Sequence, residues 1–466
     1  MKRKSGVLMH ISSLFGNYSC GSLGENARYF IDFLKKCGFS YWQILPINDT
    51  DDFNSPYTSN SAFSCNPFFL DIEILYEKGL IFSDELINSK QNYQFLCEFD
   101  RLKKERFDLL KKAALRTEDF SPIENYLECK KQISNYCEFM AKKSAKTNRE
   151  FEENLKVYKF IQYEFYSQFK TIKQYANKLG IEIIGDMPFY ISKNSSDVFY
   201  HKSLFLLDDN LKPTKVAAVP PDYFSKNGQL WGNPLYNWQQ MKKDNYKWWC
   251  ERISFLSDFF DILRIDHFRA IESYYAVDND KKDARQGEWL KGPGFEFIDI
   301  LKNECSNIKI IAEDLGEITD KVRNLLIKTK IPGMRVFQFG FDNDNSPHLP
   351  HNYPENCISY TGTHDNNTLL GFLYECDENK RQKILEYCNH NDDFKRANFS
   401  IIKTMLKSSA STVIFPIQDI LGFGKDTRMN TPGKAEGNWA FRITKEQLDS
   451  IDTDYLKHIN MLYGRC

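Results

Sequence analysis

Three acidic residues follow short apolar runs in this sequence. Asp266 closes Asp261-Ile262-Leu263-Arg264-Ile265-Asp266, Glu313 closes Ile310-Ile311-Ala312-Glu313, and Asp365 closes Thr361-Gly362-Thr363-His364-Asp365. One acid in such a place can simply cap the following helix. Three of them on separate runs, each beside another polar group, point instead to shared chemistry. Arg264 lies two residues before Asp266, so on a strand the two share a face. A guanidinium beside Asp266 favours its ionised form, which suits a nucleophile. A second carboxyl that keeps its proton at neutral pH can act as general acid and then base.

Such acids need elements that hold them together. Eight apolar runs recur along the chain: 7–10, 41–45, 182–186, 260–266, 308–313, 334–338, 358–365 and 411–415. They read as strands buried on both faces, as in parallel sheets. Helical patterns separate several of them. Residues 27–37 are amphipathic and stop before Gly38. Leu155, Tyr158, Phe165, Phe169, Ile172, Ala176 and Leu179 keep helical spacing up to Gly180. Repeated strand–helix alternation predicts a (β/α)₈ TIM barrel as a single catalytic domain over 1–466. Its functional residues sit where strands end. Such a barrel needs about 250 residues, so insertions supply the rest. Residues 73–149, rich in Lys and Glu, read as a helical subdomain. Residues 192–249 read as a loop-rich, aromatic insertion over the site. If Asp266 and Glu313 end the fourth and fifth strands, those strands are neighbours about 4.8 Å apart. Retaining chemistry at a glycosidic bond needs carboxyls about 5–5.5 Å apart, and inversion about 6.5–9.5 Å. Adjacent strands therefore favour retention.

Composition narrows the partner. The chain has 466 residues, with 62 Lys and Arg against 63 Asp and Glu, a net charge of −1. This balance provides no counterion-release drive toward nucleic acid and no polybasic membrane patch. Aromatic residues reach 15%, which suits a neutral ligand held by stacking and hydrogen bonds, although most of these rings serve a core. The twelve cysteines contain no Cys-x-x-Cys pair. With no signal-like apolar run at the start and no membrane-length apolar stretch, the expectation is a soluble cytoplasmic protein with reduced thiols. The chain opens almost directly on its first predicted strand, so no separate N-terminal binding module is expected.

The residues 261–269, Ala312-Glu313-Asp314-Leu315-Gly316 and Gly362-Thr363-His364-Asp365-Asn366 resemble three signature blocks of the α-amylase clan. In detail they resemble glycoside hydrolase family 77, the 4-α-glucanotransferases (amylomaltases, or disproportionating enzymes). Residues 219–225 and 228–234 match that family's active-site loop. Ser55-Pro56-Tyr57, Gly185-Asp186-Met187-Pro188, Leu349-Pro350-His351-Asn352-Tyr353 and 428–433 match further blocks. The resemblance runs from about Lys4 to Ile443 and is weak only in the helical insertion. It implies that Asp266 attacks the anomeric carbon. Glu313 protonates the leaving oxygen and later deprotonates the acceptor. Asp365 holds the 2- and 3-hydroxyls of the reacting sugar, supported by Arg264 and His364, and Asp186 belongs to the remaining clan block. Malto-oligosaccharides and α-1,4-glucans are the implied partners, with no metal or organic cofactor. One departure is Ala270, where the family pattern has Gly.

Transfer rather than hydrolysis requires a sugar hydroxyl to reach the glycosyl-enzyme before water. Tyr57, Tyr223, Phe224 and Trp231 are the candidate platforms. Ser55 and Asp222 flank them, and Asn430 is a candidate for donor-side hydroxyls. A core role for Trp231 is the alternative. His267 and His351 read equally as sugar contacts or structural histidines. His364-Asp365 lacks the companion ligands of a metal pair, and Gly422-Phe423-Gly424-Lys425 lacks the spacing of a phosphate loop. Trp248-Trp249 reads as barrel-helix packing. Cys20, Cys65 and Cys357 have no partner base that would mark a thiol nucleophile. A hydrolase with the same three acids and a catalytically silent glucan-binding protein are the competing readings.

Overall fold

The computed structural model describes residues 3–221 and 226–466. Twelve strands occur among them: β1 (Lys4–Leu8), β2 (Tyr41–Gln43), β3 (Glu182–Met187), β4 (Lys215–Val219), β5 (Gln229–Pro234), β6 (Ile262–Ile265), β7 (Ser273–Asp278), β8 (Glu288–Lys291), β9 (Lys309–Ala312), β10 (Gly333–Val336), β11 (Cys357–Tyr360) and β12 (Thr412–Pro416). Eight of them form one parallel sheet in the order β10-β11-β12-β1-β2-β3-β6-β9. Their β-branched and apolar residues are buried on both faces, as parallel pairing between helices requires. The two ends of this sheet meet where the Ala312 N–H donates to the Pro332 carbonyl at 2.9 Å, closing a TIM-barrel-like cylinder. Gly185 on β3 has no alternative, because a Cβ there would sit 2.1 Å from the Phe260 ring.

All eight apolar runs become barrel strands, but five of the strands are shorter than their runs. β6 ends at Ile265, β9 at Ala312 and β11 at Tyr360. The acids therefore lie just beyond the ladder, where backbone is free to turn. The first helix covers Glu25–Lys36. The helix read over 155–179 begins earlier, at Asn148, because the Thr147 hydroxyl accepts the Glu150 N–H and caps it. Buried Gln162 and Gln168 on that helix accept the N–H groups of Cys65 and Asp71, which fixes the segment following Tyr57.

Residues 83–144 hold four helices, three of which pack on the Asn148–Lys178 helix (Phe99–Arg116, Ser121–Glu128 and Lys131–Ser144). Residues 192–249, read as loop-like, differ from that reading. They contain β4 and β5, which join β7 and β8 in an antiparallel sheet of order β5-β4-β7-β8. Gln229, Leu230 and Trp231 on β5 are exposed, so no buried-exposed alternation marks the strand, and antiparallel pairing with β4 creates it. Trp248 and Trp249 are buried on the Lys247–Ser257 helix. Among the described residues no helix is long and apolar enough to cross a membrane.

Candidate active site

Register brings the strand-borne acids together. Ile265 on β6 pairs with Ala312 on β9, so the next residues, Asp266 and Glu313, leave the rim side by side. Asp186 pairs with Arg264 across β3 and β6. The Arg264 Nη1 donates to both Asp186 oxygens at 2.7 and 2.6 Å, and its Nη2 lies 3.1 Å from Asp266 Oδ1. Its Nε–H points to Met334 Sδ at 3.4 Å. One buried guanidinium thus orients two carboxylates.

The Glu313 carboxylate accepts the Leu315 N–H and the His267 N–H, each at 2.7 Å. His267 can offer its N–H there because it adopts a left-handed backbone, φ +48° and ψ +44°. That conformation is costly for a residue with a Cβ and concentrates at functional sites. Burial pushes the Glu313 carboxyl up to about 7, with the Asp266 charge adding to the shift. Burial also pushes Asp266 up to about 6, against the pull of Arg264. The guanidinium therefore does not hold Asp266 low, as the sequence suggested. Its charge opposes the rise at Asp266 and at Glu313 alike, and at Glu313 the Asp266 charge works against it.

Asp365 is held differently. It lies on a loop five residues beyond β11. His364 Nε2 stands 3.2 Å from its Oδ2, the Asn430 amide donates to its Oδ1 at 2.6 Å, and Arg428 donates to its main-chain carbonyl at 2.5 Å. Burial opposes ionisation of Asp365, but the His364 charge and the hydrogen bonds from His364 and Asn430 outweigh it and pull the carboxyl down to about 2. His364 is raised in turn, the Asp365 charge overcoming burial.

Tyr57 joins the two halves. Its hydroxyl donates to Asp186 Oδ2 at 2.7 Å, while its ring stacks on His364 at 5.0 Å and 17°. The Ser55 hydroxyl accepts the Tyr57 N–H at 3.3 Å, so it shapes the turn that presents Tyr57. Trp231 is 38% exposed, not a core residue. Its ring meets the His267 ring edge-on at 4.8 Å, which places a partly open aromatic surface against the residue that follows Asp266. His351 bonds the Tyr387 hydroxyl. Asp222, Tyr223 and Phe224 lie outside the described residues. Two further site residues escaped the sequence reading. Arg428 supports Asp365, and Trp439 packs on both Tyr57 and His364 at 5.9 Å with a left-handed φ of +68°. Position in the 428–433 block was the available signal for Arg428, and nothing local marks Trp439. Among the described residues no group of three His, Cys, Asp or Glu side chains is arranged to hold a metal ion.

A family model described as 4-alpha-glucanotransferase, glycoside hydrolase family 77, matches residues 9–448. A 4-alpha-glucanotransferase of Clostridium butyricum is 40% identical over 98% of this chain and 100% of its own length. Amylomaltase from Streptococcus agalactiae, solved in complex with acarbose, superposes with a TM-score of 0.95 at 35% identity, covering 100% of both chains. Amylomaltase from Corynebacterium glutamicum shares the fold, with a TM-score of 0.84 at 14% identity over 99% of this chain and 75% of its own.

Proposed function

Because the chain belongs to the 4-alpha-glucanotransferase family, glycoside hydrolase family 77, we propose that it is a glycosyltransferase that moves α-1,4-glucan segments between malto-oligosaccharides with retention. Asp266 attacks the anomeric carbon of the donor. The C1–O bond breaks as Glu313 donates its proton to the departing 4-oxygen, leaving a glycosyl ester on Asp266. Glu313, now ionised, takes the proton from an acceptor 4-hydroxyl, whose oxygen displaces Asp266. Two inversions restore the α configuration. With maltotriose as donor, glucose is released.

The observation that carries this reading is the β6–β9 register, with the Glu313 carboxylate bonded to the N–H that follows Asp266. A spacing of about 4.8 Å between paired strands suits the close carboxyl pair of retention better than the wider pair of inversion. Ionised Asp365, backed by His364 and Asn430, suits the grip on sugar hydroxyls that strengthens as positive charge develops at C1. Trp231 and Tyr57 supply ring faces for sugar C–H surface. Incubation of the protein with maltotriose tests the reading. A ladder of longer maltodextrins with glucose is expected, whereas glucose and maltose alone make it a hydrolase, and unchanged maltotriose makes it a glucan-binding protein.

A further inference from the structure

The barrel has seven strand ladders and one seam. β9 and β10 are the ends of the hydrogen-bonded order, and a single backbone bond, Ala312 N–H to Pro332 C=O, joins them there among the described residues. The residue after Glu313 lies at this seam. Asp314 turns its buried carboxylate across it, accepts the Met334 N–H at 2.5 Å and pairs with Arg335 at 3.2 Å. A notch receives it: Gly333 has no side chain, and a Cβ there would be 2.6 Å from Asp314 Oδ2. Met334, held by this bond, is also the residue whose sulfur accepts the Arg264 Nε–H.

We propose that Asp314 is a positioning residue that replaces the missing β9–β10 ladder and so sets the attitude of both Glu313 and Arg264. The first link is covalent, since Glu313 and Asp314 are neighbours on one short turn. The second runs from the Asp314 carboxylate to the Met334 N–H, from Met334 sulfur to Arg264, and from Arg264 to Asp266. A bond at the seam thus orients the acid directly and the nucleophile through two contacts. This inference rests on Glu313 acting as the acid.

The test compares Asp314→Ala, Asp314→Asn and Gly333→Ala with the parent, using maltotriose turnover across pH and thermal melting. Asp314→Asn keeps an oxygen for the Met334 N–H. Gly333→Ala expels the carboxylate from its notch without altering Asp314. Glu313 faces Asp266 and Arg264 on the β6 side, with Arg269 beyond, and Asp314 faces Arg335. Asp314→Ala and Gly333→Ala are expected to lower kcat by roughly 10–100-fold, the scale of a displaced reacting group, with KM within about twofold. Both should move the alkaline limb of the kcat profile toward acid as water reaches Glu313 and its carboxyl falls. Asp314→Asn should recover most of kcat. Parental kcat and pH limbs in Gly333→Ala and Asp314→Ala, with only a lower melting temperature, would reduce Asp314 to a structural role and overturn the proposal. If Asp314→Ala does not fold, Gly333→Ala decides alone. Glu313→Gln is assayed in parallel. Near-parental turnover there would instead overturn the assignment of the acid.

Discussion

Asp266 and Glu313 stand at the ends of paired strands, whereas Asp365 hangs from a loop past β11. The strand pair is positioned by ladder register and has few donors: one guanidinium for Asp266 and two N–H groups for Glu313. Burial pushes both carboxyls up, with the charges of Asp186 and Asp365 adding at Asp266 and that of Asp266 adding at Glu313. Asp365 has no ladder beneath it and depends on His364, Asn430 and Arg428. Its carboxyl is pulled down to about 2. The two carboxyls at the strand ends sit where charge is disfavoured, and the loop carboxyl sits where donors converge. The rigid half needs little help from side chains because backbone hydrogen bonds set its geometry. The loop half has its own turn, in which the Asp365 N–H donates to the Thr363 hydroxyl, and it recruits Tyr57, Asn430 and Trp439 from across the chain because no ladder fixes it.

This contrast is broken most severely at the proposed nucleophile. Asp266→Asn is expected to lower maltotriose turnover by at least about 10⁴-fold, and Asp365→Asn by about 10²–10³-fold, the cost of losing one preorganised electrostatic contact. Single-turnover kinetics on both variants checks the order. Equal losses would mean that the two halves are not separable.

A smaller effect sharpens it. The parent should show a bell-shaped kcat/KM profile, rising as Asp266 ionises near about 6 and falling as Glu313 deprotonates near about 7. Asn430→Ala removes a donor to Asp365 alone. It should lower kcat/KM about 10-fold and leave both limbs in place. A shift of either limb would show that the loop carboxylate also governs the strand pair.

The smallest effect is on stability, and its sign differs between the halves. Glu313 has a raised carboxyl in the fold, so its contribution to stability is fully present below its unfolded value, about 4.3. That contribution is lost as pH rises through about 7. Glu313→Gln should therefore be more stable than the parent at pH 8, by about 1–3 kcal/mol, with no gain at pH 4. Asp365 has a lowered carboxyl, whose stabilisation is present above its unfolded value, about 3.9, and is lost as pH falls through about 2. Asp365→Asn should therefore melt lower than the parent at pH 7. Thermal melts at the three pH values decide both signs.

Much of this was legible in residue order. Eight apolar runs, each four to eight residues long with an acid or other polar residue at several ends, announced a parallel barrel. The two-residue spacing of Arg264 and Asp266 correctly placed them on one face, where they lie 3.1 Å apart. These are short-range facts, decided by the period of a strand and the preference of β-branched residues for pleated, buried surface. The second sheet was not legible. β5 and β8 are largely exposed and become strands only by pairing with the more buried β4 and β7.

What the sequence determined by itself was which residues stand at strand ends and which side chains share a face, because strand period is local geometry. Only the tertiary structure decided the proton balance and the company each acid keeps. Burial overrides Arg264 at Asp266, a left-handed His267 delivers an N–H to Glu313, and Trp439 arrives from the far end of the chain to pack on Tyr57 and His364. The physical reason is that desolvation and ring packing depend on every element around a group, and chain order does not reveal which elements those are.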